Sequence, residues 1–170
     1  MPEAFLKGLQ QPEYVHVLFN PFPVYGLVMG FVALVVALIL CSRHARLLAL
    51  FLIFLSALSA WPTFRYGLRG YDRVKAMSDS EGLMWLDEHK ARAERLIFVF
   101  YTLAVLALTG MGAEWNRSRA ALPLSILILV LTVSALVAGA YISYSGGHIR
   151  HREFRFEPPP EQPASRFNPL

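Results

Sequence analysis

Four stretches of this chain are apolar for long enough to cross a lipid bilayer, and a backbone inside a bilayer has few conformations open to it. Without water in the hydrocarbon, every N–H and C=O needs an internal partner, which only helices and closed barrels supply. Phe22 to Cys41 is twenty residues without a charge; at about 1.5 Å per residue it matches a hydrocarbon core of about 30 Å. The second stretch runs from Leu47 to about Phe64, with Trp61, Phe64 and Tyr66 as an interfacial aromatic belt and Pro62 near the exit. The third, Leu96 to Met111, follows a polar, helix-compatible segment from Glu81 to Arg95. Ser78 and Glu81 have the spacing of a capping box. One long helix is therefore expected over Glu81 to Ala113, spanning at 92–112, with its first turns outside the membrane. The fourth stretch, Leu122 to Tyr144, opens on Pro123, where a missing N–H costs little. The Gly146-Gly147 pair predicts its stop.

The expected fold is all-α: a four-helix transmembrane bundle whose third helix extends beyond the bilayer. Its spans, at about 22–41, 47–64, 92–112 and 122–144, make a membrane domain over 22–144. An N-terminal interfacial segment, 1–21, precedes it; a Gly-Gly turn with a histidine-rich segment, 145–156, and a proline-rich tail, 157–170, follow. Composition agrees, because 55% of the residues are hydrophobic and 16% charged, against about 25% charged in soluble domains. The first stretch is too long for the core of a signal peptide and has no small-x-small site after it, so it is expected to remain as a span. Cys41 is the single cysteine, which excludes an intramolecular disulfide and a multi-cysteine metal site. The pI near 9.5 reflects membrane-flanking arginines scattered among acids, so no nucleic-acid partner is expected. The tail around Glu157-Pro158-Pro159-Pro160-Glu161-Gln162-Pro163 reads as a linker or an arm on a partner.

An even number of crossings brings the chain back to the side on which it started. His16, His89, His148 and His151 therefore share one face of the bilayer, and His44 lies on the other. The compact loops holding Arg43, Arg46, Arg117 and Arg119 are expected to be cytoplasmic, which puts both termini and the four histidines outside. Imidazole suits haem iron, copper, zinc and non-haem iron, and a bundle can gather ligands that have no fixed spacing in sequence. Two axial histidines from different helices would hold a b-type haem, the best pairs being His89 with His151 or His16 with either. His148 and His151 would form a two-nitrogen clip for a divalent metal if the chain resumed a helix after Gly147. Solvated, structural histidines at the interface are the plain alternative. Ala135, Gly139, Ser143 and Gly147 recur every four residues, a small-residue stripe suited to close helix packing or to seating a flat cofactor.

From His16 the chain reads His16-Val17-Leu18-Phe19-Asn20-Pro21-Phe22-Pro23 before the first span. His89 stands ahead of the third, and Gly146-Gly147-His148-Ile149-Arg150-His151-Arg152-Glu153 closes the fourth. Over His16 to Glu153 this resembles an uncharacterised bacterial family of four-helix inner-membrane proteins, a domain of unknown function. That family has a His-Pro opening, a Phe-Pro pair, a histidine before the third helix and a Gly-Gly turn with a later histidine. The resemblance implies that His16, Phe22, Pro23, His89, Gly146, Gly147 and His151 are the matching positions. Val17 replaces the proline after the first histidine, and Pro21 stands where relatives often carry a second one. The resemblance implies a fold and a bacterial inner-membrane location, and no reaction.

The apolar cores contain no charge, which disfavours an active transporter, and neither zinc-protease nor phosphate-loop signatures occur. An electron carrier or accessory subunit is expected rather than a stand-alone catalyst. Three readings stand open: a haem protein relaying electrons to a membrane redox partner, a cofactor-free accessory subunit of a larger membrane complex, and an outer-face metal-binding protein.

Overall fold

The computed structural model describes residues 2–159, and those residues form helices joined by short turns with no strand among them. In chain order they are α1 (Pro2–Leu9), α2 (Pro12–Phe19), a π-type turn at Phe22–Gly26, α3 (Leu27–Ile39), α4 (Arg43–Leu58), α5 (Ala60–Ala76), α6 (Ser80–Trp115) and α7 (Ala121–Arg150). A 3-10 turn at Arg152–Phe154 follows. Four continuous helical stretches, Pro12–Ile39, Arg43–Ala76, Ser80–Trp115 and Ala121–Arg150, are long and apolar enough to cross a membrane. The protein is a multi-pass membrane protein with a four-helix bundle. Pro160 to Pro163 and the rest of the tail lie outside the described residues.

In the bundle α3 packs on α4, α4 on α6 and α6 on α7, and α7 closes against α3. Leu27, Leu34, Leu50, Ile53, Leu103 and Ile128 are fully buried between them. Outside, Met29, Val32, Ile39, Phe98, Val105, Val130 and Val137 stay exposed. Such a continuous apolar belt is what a lipid-facing surface presents. Because α6 has 36 residues, it is roughly 54 Å long at about 1.5 Å per residue, well beyond a hydrocarbon core. The expected projection of the third helix is therefore present. Beside it, α2 pairs with α5 and α5 rests on α6, which builds a second tier on top of the bundle.

Several expected boundaries move, each for a local reason. The helix of the second span continues past Phe64 to Ala76 with only a break at Ser59 between α4 and α5. Pro62 falls in the first turn of α5, where its missing N–H would have no partner in its own helix. The Ser59 hydroxyl donates to the Ser56 carbonyl at 2.6 Å, and the Thr63 hydroxyl donates to that of Ser59 at 2.9 Å. Upstream, Pro21 and Pro23 remove two backbone donors, and the chain widens into the π-type turn before α3. Asp79, not Ser78, caps α6, its carboxylate accepting from the Gly82 N–H at 2.7 Å. The Gly146-Gly147 pair does not stop α7, which continues to Arg150. The helical stop moves to His151, and the segment 145–156 is no Gly-Gly turn.

Each end of the bundle is stitched by ions. At the end with the tight loops, Glu114 is buried and binds Arg46 through contacts of 2.5 and 3.2 Å. Arg43 donates to the carbonyls of Glu114 and Trp115 at 2.8 and 3.0 Å. Both helix ends use a left-handed residue, Cys41 with φ 50° and Arg117 with φ 52°. Each is followed by a backbone bond five residues back, Ser42 to Ala37 and Ser118 to Ala113, the Schellman closure. At the opposite end Arg155 donates to the His148 and Ile149 carbonyls at 2.8 and 2.9 Å and to Asp79 at 3.0 Å. One guanidinium thus caps α7 and ties it to the N-cap of α6. Glu153 takes no part in this cap and bonds His151 instead.

Removing one partner of a buried ion pair strands the other charge. Glu114→Ala should therefore cost about 3–5 kcal/mol in reversible unfolding from detergent micelles. A cost near that of an exposed pair, about 0–1 kcal/mol, would mean that water already reaches Arg46. The Asp79 carboxyl is held down to about 2, first by its bond to Arg155 and then by the Gly82 N–H. A carboxylate lowered in the folded state stabilises above its ordinary value and loses that contribution as pH falls through the folded one. The clamp should therefore open between about pH 4 and pH 2. Hydrogen exchange at the last turn of α7 should accelerate in that window, and at neutral pH in Asp79→Asn.

Candidate functional site

The site is built where the second tier meets the bundle, from His16 on α2 and His89 on α6. Their ring centroids are 6.3 Å apart with planes at 82°. The π-type turn redirects α2 against α5, and His16 Nδ1 lies 2.8 Å from the Thr63 carbonyl oxygen. On the other side His89 Nδ1 lies 2.9 Å from the Ile142 carbonyl oxygen of α7. A carbonyl only accepts, so each Nδ1 carries the proton. In a neutral ring that leaves the lone pair on Nε2. Neither Nε2 has a hydrogen-bond partner among the described residues.

A helix carbonyl normally has its N–H partner four residues on, and a side chain at that position shields it. Here those positions are Gly67, four after Thr63, and Gly146, four after Ile142. A Cβ on Gly67 would stand 2.9 Å from His16 Nδ1, and one on Gly146 would stand 3.0 Å from His89 Cε1. Each imidazole therefore occupies the space that its glycine leaves free, and two helices offer carbonyls sideways. The same device occurs twice, on α5 and on α7.

The helix register that aligns His89 with Ile142 is held on both sides along α6. Trp85, one turn before, is fully buried, with its ring 4.3 Å from that of His148. Arg92, three residues after, is buried too. Its guanidinium donates to Glu88 at 2.7 Å and to the Tyr141 carbonyl at 3.0 Å, and lies 3.8 Å from the centre of the Tyr141 ring. Trp85 and His89, four residues apart, thus lie on the face that α6 turns to α7.

Two cavities meet at the histidine pair. Below it is an apolar one of about 80 Å³, lined by Pro23, Val24, Phe64, Ile97, Phe100 and Ile142. Above it a vestibule of about 780 Å³ is lined by more polar residues, among them Gln11, Glu13, Arg150 and His151. The larger lies within the range of about 300–1,000 Å³ usual for ligand pockets. His16, Asn20, Gly67, His89 and Ser143 line both, so both imidazoles face the shared neck.

The other two candidate histidines take other parts. His148 is buried between Trp85 and Tyr144, at 4.3 and 4.4 Å, and its Nδ1 bonds the Tyr144 carbonyl one turn back. His151 is exposed, stacked on Phe154 and paired with Glu153 at 2.8 Å. Each ring has its Nδ1 committed to a different neighbour, and they do not form the expected two-nitrogen clip. No group of three or more His, Cys, Asp or Glu side chains suited to a metal ion occurs among the described residues. In the small-residue stripe Ala135 and Gly139 are buried, and a Cβ on Gly139 would meet Val24 at 3.0 Å. Ser143 is exposed and Gly147 has room to spare. The close approach is made one residue earlier, at Gly146.

The chain has no significant match among protein-family models, curated proteins or solved structures. The site's chemistry accordingly rests on its geometry. Thr63, Gly67 and Ile142 were not legible as site residues. The available signal was a glycine inside a helical pattern, which costs about 1 kcal/mol against alanine and so marks a packing need.

Alanine normally favours a helix over glycine by about 0.8–1 kcal/mol. Gly67→Ala and Gly146→Ala should go the other way and destabilise by roughly 1–3 kcal/mol through overpacking. Gly112, with open space around it, is the control and should gain stability as alanine. Equal gains at all three positions in chemical unfolding would refute the tight fit.

Proposed function

We propose that this protein binds a b-type haem between His16 and His89 and serves as a one-electron carrier in its membrane. The observation that carries the reading is the pair of imidazoles, each with Nδ1–H fixed on a backbone carbonyl and Nε2 free. Ligating histidines characteristically donate their other nitrogen to such an acceptor, which sets the tautomer and strengthens the ligand. Two rings ligating one ion from opposite sides, with metal–nitrogen bonds of about 2 Å, have centroids about 6 Å apart, and the pair here stands at 6.3 Å.

A ferric or ferrous haem supplies reversible exchange of one electron at iron, without a proton. Residues of this chain would do the rest. His16 and His89 would hold the haem iron through their Nε2 lone pairs, and with two imidazoles bound the group would supply electron transfer. Gly139 and the apolar lining of the lower cavity would keep water from the inner side. Trp85 and Arg92 would hold the register of α6, and with it the position of His89. A divalent ion is supported less well, because it wants three or four protein donors and the neck offers two imidazoles. Donor and acceptor would be one-electron carriers of the same membrane. The resemblance and the arginines of the compact loops favour a bacterial inner membrane with the histidine end outside.

The detergent-purified protein should show a sharp Soret band and, on reduction, a narrow α-band. His16→Ala and His89→Ala should each lose that low-spin spectrum, while His148→Ala and His151→Ala should keep it. Nearly perpendicular imidazoles leave the two π-type iron d orbitals close in energy. The ferric protein should therefore give a strongly anisotropic low-spin electron paramagnetic resonance signal. A spectrum without these bands after growth with haem supplied, or one indifferent to both His16→Ala and His89→Ala, would refute the assignment.

A further inference from the structure

We infer that Arg150 anchors the propionates of the bound group, so that a haem at the His16–His89 neck stands with its carboxylates in the vestibule and its apolar edge in the cavity below. This rests on the haem reading and adds to it an orientation and a residue.

The two cavities differ in the way that the two edges of a haem differ. Pro23, Val24, Phe64, Ile97 and Phe100 offer nothing that satisfies a carboxylate, and burying an unpaired charge there would cost several kcal/mol. Lys90 also borders the lower cavity, but its ammonium lies 4.6 Å from the centre of the Tyr71 ring, a cation–π seat. The vestibule is wider, more polar and lined by Arg150. A porphyrin gripped at the neck therefore has one low-energy orientation.

Arg150 is the one arginine or lysine among the described residues that line the vestibule. At this end of the bundle Arg73 pairs with Glu13 at 3.0 Å and Arg92 with Glu88 at 2.7 Å, while Arg152 and Arg155 share Asp79 at 2.8 and 3.0 Å. Arg150 has no carboxylate partner among the described residues. Its guanidinium reaches only the Met77 sulfur, at 3.6 Å, a weak acceptor. Its planar fork of donors is suited to grip a carboxylate with two parallel bonds. The position follows from α7 running through the glycine pair: Arg150 is one helical turn beyond Gly146, the residue against which His89 packs.

The test uses the full-length protein in detergent, titrated with haem b and, separately, with haem dimethyl ester, whose propionates carry no charge. Arg150→Ala should weaken haem b about two- to fivefold, the range of a solvent-exposed ion pair, and should lower its midpoint potential. Arg150→Lys should restore part of both. With the dimethyl ester, the wild type and Arg150→Ala should be alike in affinity. If Arg150→Ala binds haem b with unchanged affinity and potential while His16→Ala and His89→Ala lose it, the anchor is elsewhere and the haem reading stands. An equal loss with both haems would make Arg150 structural and also overturn the assignment. A wild-type protein that takes up neither haem would overturn the haem reading, and the anchor with it.

Discussion

An imidazole N–H donated to a helix carbonyl across a missing side chain is the interaction on which this site depends. In a helix the carbonyl already accepts from its own backbone, and a second donor reaches it only from the side. The residue four positions on guards that approach. By placing glycine there on α5 and on α7, the protein opens one carbonyl on each helix and points a histidine at it. The bond does two things at once. It fixes the ring, and it fixes the tautomer that turns Nε2 into a lone-pair donor facing the cavities.

Such an arrangement works only if three helix contacts keep their register, and the remainder of the fold supplies that. The buried Arg46–Glu114 pair and the two left-handed turns set one end of the bundle. Arg155 ties the other end by joining the last carbonyls of α7 to Asp79 at the start of α6. Between them, Arg92 and Trp85 bracket His89 along α6. A shift of one helical residue, about 1.5 Å of rise and 100° of rotation, would carry His89 away from both Ile142 and His16. The ionic stitches are thus a condition of the site as well as of the fold.

The bundle was largely legible in the amino-acid order because bilayer physics acts on local composition. Twenty uncharged residues from Phe22, and a polar run from Glu81 leading into Leu96, specify helices whatever lies beside them. Chain reversal likewise put His16, His89, His148 and His151 on one side. Which two of them meet was not legible. The partners of His16 and His89 lie 47 and 53 residues away, and rotation about each helix axis, set by the π-type turn and by packing at glycine, has no signature in periodicity. Gly146-Gly147 was misread as a stop for the same reason. Glycine ends exposed helices, but here the pair is packed inside one, where Gly146 makes room for a ring of α6 and the Arg155 guanidinium caps the helix further on.

The central claim is a protonation pattern, and nitrogen-15 spectroscopy of the histidines in the cofactor-free protein at neutral pH measures it directly. Both His16 and His89, assigned by substitution, should appear as neutral rings with the proton on Nδ1 and a bare Nε2. A ring of either residue protonated on Nε2 alone, or carrying both protons at that pH, would contradict the account, since no lone pair would then face the cavities.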